Sequence, residues 1–327
     1  MYQEFVVFIR VFFMLLAVYS GAISANTEFE NWKKNLLAPV TEVTGDAMSA
    51  EQFINSLQYL PDVIEKDRRQ IQGRISHEEY LNKVIPEWKV KKAREIFKKH
   101  SSMLKHAEEV TGVSPKFIVA LWGKESNFGQ YMGNYHVPSA LATLAFDGRR
   151  GEFFTKELLA AAKIINEGHI SSDEMLGSWA GAMGHCQFMP STFLRYAVDA
   201  NQDGKKDIWG DKSDIFMSMG NFLNELGWQD GRTWGRQVKL TRPFNEYKMG
   251  KKNKLPLSQW QDMGVRRYDL SDLPNANIKA YLIAPGGENG RIYLVYKNFD
   301  VLMKWNRSQY FATGVGYLAD RIGYPKI

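Results

Sequence analysis

A single cysteine, Cys186, in a chain of 327 residues that opens on an export-type segment, sets the first constraint on the fold. One thiol forms no internal disulfide, so the structure has to rest on its packed core even in an oxidising compartment. The length allows one large domain or two to three smaller ones, each with a real core. Hydrophobic residues make up 44 % and aromatics 13 %, with nine Trp, which excludes a disordered chain. Most of those rings are expected to fill the core, although flat rings also suit ligands with a C–H face. Cys186 carries none of the local cues of a nucleophile and reads as a packing residue.

At the N-terminus, Arg10 precedes the apolar run Val11 to Val18, which ends among Ser20, Gly21, Ala22, Ser24 and Ala25. The run is short for a membrane span and ends like a cleavage zone, so residues 1–25 read as a signal peptide. A buried N-terminal helix or a retained anchor is the alternative. No Cys lies nearby to carry a lipid, and no other stretch is apolar enough to span a bilayer. The formal net charge of +6 suits an anionic surface, although a charge of this size also occurs in proteins with no anionic partner. No G-x-S-x-G, P-loop or complete dinucleotide fingerprint is present, and no basic–aromatic array marks a nucleic-acid binder.

The region from Thr27 to Val110 reads as helical. Ser76-His77-Glu78-Glu79 has the capping-box pattern, and Tyr80, Leu81, Val84 and Ile85 follow at helical spacing. Lys89 to Lys99 reads as the solvated face of a further helix. Ser114-Pro115 predicts a cap followed by proline at the first helical position. Another helix is expected around Phe153 to Ile165, and Ser171 to Glu174 looks like a second capping box. Beyond Arg236 the pattern changes. Ile292 to Tyr296 has β character, Pro285-Gly286-Gly287 marks a turn, and a last helix is expected over Tyr310 to Arg321.

One carboxylate stands out. In the helix that starts at Pro115, Ile118, Leu121 and Trp122 occupy one face, and Glu125 falls at i+7 on the same stripe. A carboxylate on an apolar face costs several kcal/mol to ionise unless it is paired, which raises its pKa toward that of a neutral-pH general acid. The alternative is a helix-end Glu that turns out to water, because Gly129 follows soon after. Between Thr111 and Phe146 there is no other acidic residue, so no second carboxylate lies close in sequence. Most glycosidases use two.

The segment Ala120-Leu-Trp-Gly-Lys-Glu-Ser-Asn-Phe-Gly129 is followed by Ala140 to Arg150 and by Gly177-Ser-Trp-Ala-Gly-Ala-Met-Gly-His-Cys-Gln-Phe-Met-Pro-Ser-Thr192. Together with Trp305-Asn-Arg-Ser308, these motifs resemble the lytic murein transglycosylase B family, from about Glu28 to the C-terminus. The resemblance implies an α+β fold, mainly α: a lysozyme-like catalytic core, an N-terminal helical region and a small β element near the C-terminus. The expected organisation is signal peptide 1–25, helical region 26–110, core 111–235, β-containing subdomain 236–300, and a C-terminal helix, 301–327, returning to the core.

The resemblance further implies cleavage of the bond between N-acetylmuramic acid and N-acetylglucosamine in peptidoglycan, with Glu125 as the only catalytic carboxylate and a 1,6-anhydro product. Ser178 is implied to orient Glu125, Gln187 to bind substrate, Arg149 and Arg150 to line the groove, and Asn306 to contribute a second polar contact. Phe222 and Trp305 stand where the family carries tyrosines, so a hydroxyl role at those positions is lost while the stacking surface remains. A muramidase cutting the same bond and a non-catalytic wall-binding protein are the alternatives.

Asp199-Ala-Asn201-Gln-Asp203-Gly204-Lys205 has EF-hand spacing, with side-chain oxygens at positions 1, 3 and 5, Gly at 6 and the Lys205 carbonyl at 7. Position 12 is Gly210 instead of Glu, and Asp/Asn/Gly turns imitate this pattern. The resemblance implies that Asp214 closes the loop, giving a structural Ca2+ site and no organic cofactor. The implied location is the periplasm. The implied partners are peptidoglycan glycan strands, with cell-wall synthesis or secretion machinery as candidates beyond them, acting as a monomer.

Overall fold

The computed structural model describes residues 25–69, 75–243, 249–287 and 290–323. Apart from Ala25, the expected signal peptide lies outside the described residues. Among those described, no helix is long and apolar enough to cross a membrane. The chain is mainly helical with a small antiparallel sheet, and it divides into two compact units.

The first unit takes the described residues before 70 together with Met132–Met183 and Gln187–Arg195. Its helices include Leu37–Thr44, Ala47–Ser56, Pro61–Arg68, Val137–Asp147 and Gly151–Asn166. Phe146 is the hub of an aromatic cluster, meeting Phe29, Trp32 and Tyr59 edge-on with ring centroids 5.5 to 5.8 Å away. The Val137–Asp147 helix is buried over nearly its whole length, as its run of Ala, Leu and Val requires. A two-stranded ribbon pairs Tyr135–His136 with Leu176–Gly177.

Ser171 to Glu174 corrects the sequence reading. Ser171 Oγ donates to Glu174 Oε2 at 2.7 Å, a bond between the two side chains and not to a backbone amide, and a turn into the Leu176–Gly177 strand follows instead of a helix. Only one apolar residue, Met175, is buried just after it, too few for a helical stripe to pack. Ser76, by contrast, forms the full reciprocal box with Glu79 at the start of the His77–Val84 helix.

The second unit takes the described residues of 71–131 with Gly184–Cys186 and Tyr196–Ile327. Its helices include His77–Val84, Glu87–Lys99, Ser101–Thr111, Pro115–Ser126, Lys212–Glu225, Lys297–Trp305 and Gln309–Gly323. Pro115 takes the first helical position as expected, but the Ser114 side chain makes no cap bond. In the five-stranded sheet, Ile292–Val295 lies at the centre between Gly235–Leu240 and Lys279–Ile283, with Val265–Arg267 and Leu255–Pro256 at the edges. A core of Val238, Leu257, Trp260, Val265, Leu282 and Leu294 holds it. Cys186 is buried and free, and burial pushes its thiol pKa up, which suits packing and not nucleophilic attack.

Candidate active site

The Pro115–Ser126 helix is apolar on almost every side, with Phe117 through Gly123 all buried, so it forms the core of its unit. Its last turn carries Glu125. Three residues in a row then adopt left-handed backbone: Asn127 at φ 50°, Phe128 at φ 62° and Gly129 at φ 84°. Two of these are not glycine, an arrangement held only where packing over-determines it. The Phe128 ring turns back over Gly123, where an added Cβ would meet it at 2.7 Å. At Gly129 a Cβ would lie 1.9 Å from the His185 ring.

Polar contacts lock the same turn. Ser126 Oγ donates to the His185 carbonyl at 3.0 Å and accepts from the Gly129 amide at 3.0 Å. Trp122 Nε1 donates to His185 Nδ1 at 2.7 Å. That bond needs a lone pair on Nδ1, so it holds the imidazole neutral, in line with burial pushing its pKa down to about 4.

Glu125 is part-buried, with some of its surface open. It makes no ion pair among the described residues. Lys124, its neighbour in sequence, donates instead to Tyr80 Oη at 2.8 Å. The contact Glu125 does make is long-range: Trp305 Nε1 donates to Oε1 at 2.6 Å. Burial pushes the carboxyl up to about 7, against the smaller opposing pulls of the Trp305 bond and the Lys124 charge. Its place in the last turn, at the negative end of the helix dipole, acts in the same direction as burial.

The indole contributes one further constraint. Its N–H is a donor only, so Oε1 must accept, and because the carbonyl oxygen of a neutral acid is the better acceptor this favours the exchangeable proton on Oε2. A tyrosine there could donate or accept and would not impose that choice. Trp305 therefore has a polar role that the sequence does not reveal, since its partner lies 180 positions away. Its ring also packs on Phe222 at 4.7 Å, and Phe222 stacks in turn on Tyr196 at 4.4 Å, making an aromatic row beside the carboxylate.

The other expected residues fall as follows. In the first unit, Ser178 sits in a tight turn: its amide donates to the Ala182 carbonyl at 2.8 Å, and its Oγ accepts from the Ala182 amide at 3.0 Å. A hydroxyl bonded in that way keeps its own proton to donate. Gln187 has left-handed backbone, φ 49°, within the Met183–Phe188 bridge, and its Nε2 donates to the Met132 carbonyl at 3.0 Å. Arg149 binds Asp67 bidentately at 2.6 and 2.7 Å, and Arg150 reaches the same carboxylate at 3.4 Å. Both arginines, expected along a groove, are committed to that buried carboxylate while staying about half exposed. In the second unit, Asn306 is exposed and its Oδ1 accepts from the Ser308 amide, which is a local turn role.

The oxygen-rich loop lies between the Pro190–Tyr196 and Lys212–Glu225 helices. Asp199 accepts from the Asp203 and Gly204 amides, Asn201 from Asp203, and Asp203 from Lys205. Asp214 accepts from the Ala200 and Asp207 amides at 2.8 and 2.7 Å. Asp214 is fully buried and makes no ion pair among the described residues, and burial, with Asp211 and Asp199 nearby, raises its pKa. Hard oxygen donors around an uncompensated buried carboxylate fit a calcium-type ion by their chemistry. As they stand, no three His, Cys, Asp or Glu side chains among the described residues are gathered into a ready metal site.

A family model described as the transglycosylase SLT domain matches residues 28–320. The membrane-bound lytic murein transglycosylase B of Escherichia coli K12 is 29 % identical over 249 residues, which is 76 % of this chain and 68 % of that one. Among solved structures, SltB3 of Pseudomonas aeruginosa, in complex with NAG-NAM-pentapeptide, is 37 % identical at a TM-score of 0.86 and covers 91 % of this chain and 80 % of its own. The lytic transglycosylase Slt35 of Escherichia coli, in complex with calcium, is 27 % identical at a TM-score of 0.75, covering 89 % and 92 %. Fold and family model agree, and the chain belongs to the transglycosylase SLT-domain family, as an enzyme of the lytic murein transglycosylase class.

Proposed function

We propose that the chain cuts the MurNAc-β-1,4-GlcNAc bond of peptidoglycan with Glu125 as its only catalytic carboxylate. The observation that carries this reading is a part-open carboxyl pushed up to about 7, with a neutral indole as its hydrogen-bond partner. Protonated at Oε2, Glu125 gives its proton to the glycosidic oxygen as the C1–O bond breaks. The carboxylate left behind takes the proton of the muramic acid C6 hydroxyl as that oxygen closes onto C1. The acid is regenerated, a 1,6-anhydro sugar forms and no water is consumed. A pKa close to neutrality suits a group that must give and take a proton in one turnover. The structure of SltB3 in complex with NAG-anhNAM-pentapeptide supports an anhydro product for this relative of 37 % identity.

Trp305 is a positioning residue in this scheme, since its bond to Oε1 favours the proton on Oε2. Ser178, with its hydroxyl proton left over, is proposed with Gln187, Arg149, Arg150 and Asn306 to bind the substrate. The Asp199, Asn201, Asp203, Lys205 and Asp214 oxygens are proposed to hold a structural Ca2+, which supplies charge balance to the loop and no step of the reaction. The enzyme is proposed to act in the periplasm as a monomer on glycan strands.

Mass spectrometry of purified peptidoglycan digests, wild type beside Glu125→Gln, tests the reading. Anhydro-muropeptides from the wild type alone are expected. Reducing-end products would make the enzyme a muramidase, and no release by a folded, calcium-loaded wild type would leave a wall-binding protein.

A further inference from the structure

The sheet-bearing part of the second unit holds a cleft of about 570 Å³ that shares no lining residue with the Glu125 neighbourhood. Five cations line it: Arg232, Arg236, Lys254, Lys279 and Lys297. No described Asp or Glu does. Two of the five are partly answered. Lys254 Nζ pairs with Asp300 at 3.1 Å, and Arg236 donates to Tyr296 Oη at 2.7 Å and feels Asp320 nearby. Arg232, Lys279 and Lys297 are exposed and have no acidic partner among the described residues.

Like charges gathered in a concavity repel one another and gain nothing for the fold, yet they focus a field that draws anions in. The helix Lys297–Trp305 opens at the cleft with no side chain capping its first turn, and the one acid in that turn, Asp300, is already paired with Lys251 and Lys254. Between the cations the lining is mixed, with apolar Leu257, Pro274 and Ile278 beside the polar side chains of Gln229, Thr233 and Asn277. Charges on separate segments, with amide and hydroxyl groups and apolar side chains between them, match carboxylates spaced along an extended peptide whose backbone amides also need partners. One compact ion would leave most of them unused.

We propose that this cleft binds the carboxylates of the stem peptide of the wall polymer, while Glu125 works on the glycan. The proposal rests on the transglycosylase reading for its ligand, and on the cleft alone for its charge preference.

The test uses the mature full-length chain and the double variant Arg232→Glu/Lys297→Glu. Both side chains are exposed, and an acid at 297 is favourable in the first turn of its helix, so the fold is expected to survive. Steady-state cleavage is measured on peptide-bearing strands and on strands stripped of peptide by an amidase. The wild type is expected to show a KM about tenfold lower on peptide-bearing strands, the scale of one or two ion pairs. The variant should lose that advantage and keep its kcat and its KM on stripped strands. Equal KM values for the wild type on both strands, or an equal loss by the variant on both, would overturn the proposal.

Titration of the same two proteins with free stem peptide and with inorganic phosphate, followed by NMR, reads the cleft without catalysis. Peptide shifts confined to the cleft and lost in the variant are expected. Phosphate binding as tightly as the peptide would overturn the assignment to a peptide. A wild type that binds the peptide there but cuts neither strand would sink the transglycosylase reading and leave the cleft assignment standing.

Discussion

Two carboxylates, Asp67 in the first unit and Glu125 in the second, are both withdrawn from water and are treated in opposite ways. Asp67 is 2 % exposed and is held by two guanidinium groups, one of them bidentate. Glu125 faces no ion-pair partner among the described residues, accepts a bond from a neutral indole, and is pushed up to about 7. Burial alone therefore does not make an acid catalyst. A carboxylate compensated by cations is a structural tie, and one given a neutral donor in a part-open site is left able to exchange its proton.

The largest effect that could break this contrast is on activity. Glu125→Gln is expected to lower anhydro-muropeptide release by about 10³-fold or more, because one group serves as both acid and base. The same change should raise stability above neutrality. The folded pKa of Glu125 lies above its ordinary value of 4.5, so the folded state binds more protons and loses stability as pH rises from about 4.5 to about 7. Removing the group should recover up to about 3 kcal/mol at pH 8 and almost nothing at pH 4, read from melting curves at the two pH values. A variant destabilised at pH 8 would contradict the account.

Asp67→Asn should move stability the other way. It removes a charge-assisted bidentate contact and is expected to cost about 1–3 kcal/mol, held to that range because both arginines are half exposed. Chemical denaturation measures it, and a neutral outcome would erase the contrast between the two sites.

Trp305→Phe keeps the ring on Phe222 and deletes the N–H. Cleavage should fall about tenfold or somewhat more, the worth of one hydrogen bond to a charged group. The deleted bond favoured the carboxylate, so the Glu125 pKa should rise further. The alkaline fall in kcat/KM should then move to higher pH, and a merely structural defect would not shift it. Trp305→Tyr, which restores a donor, should recover part of the loss.

Calcium gives the smallest effect. Ten times the dissociation constant of free Ca2+ should add about 1.4 kcal/mol to the melt, and Asp214→Asn should abolish the gain. No response to Ca2+ or to a chelator would leave the loop held by its backbone amides alone.

How much of this was legible in the sequence depends on the range of each contact. The Ser76–Glu79 box and the proline at position 115 are local and form as read, because caps and first-turn proline need only a few neighbours. The part-burial of Glu125 was legible too, since an acid at i+7 on an apolar stripe needs only the helical period. The Ser171–Glu174 pattern misled because the same side-chain bond serves a turn as well as a helix start. Trp305 on Glu125 and the two arginines on Asp67 bridge 180, 82 and 83 positions, and no local pattern encodes such pairings. Phe222 and Trp305 stand where the family carries tyrosines, and the sequence showed only that a hydroxyl is missing there. The indole supplies a donor there but cannot accept.

The central claim is that Glu125 exchanges its proton near neutrality, and NMR titration of the glutamate side-chain carboxyl carbons in isotope-labelled protein tests it most directly. The account predicts one resonance with a midpoint about 7, absent in Glu125→Gln, while the other glutamates titrate at lower pH. A wild-type spectrum in which every glutamate titrates below about 5, the ordinary carboxylate range, would contradict it.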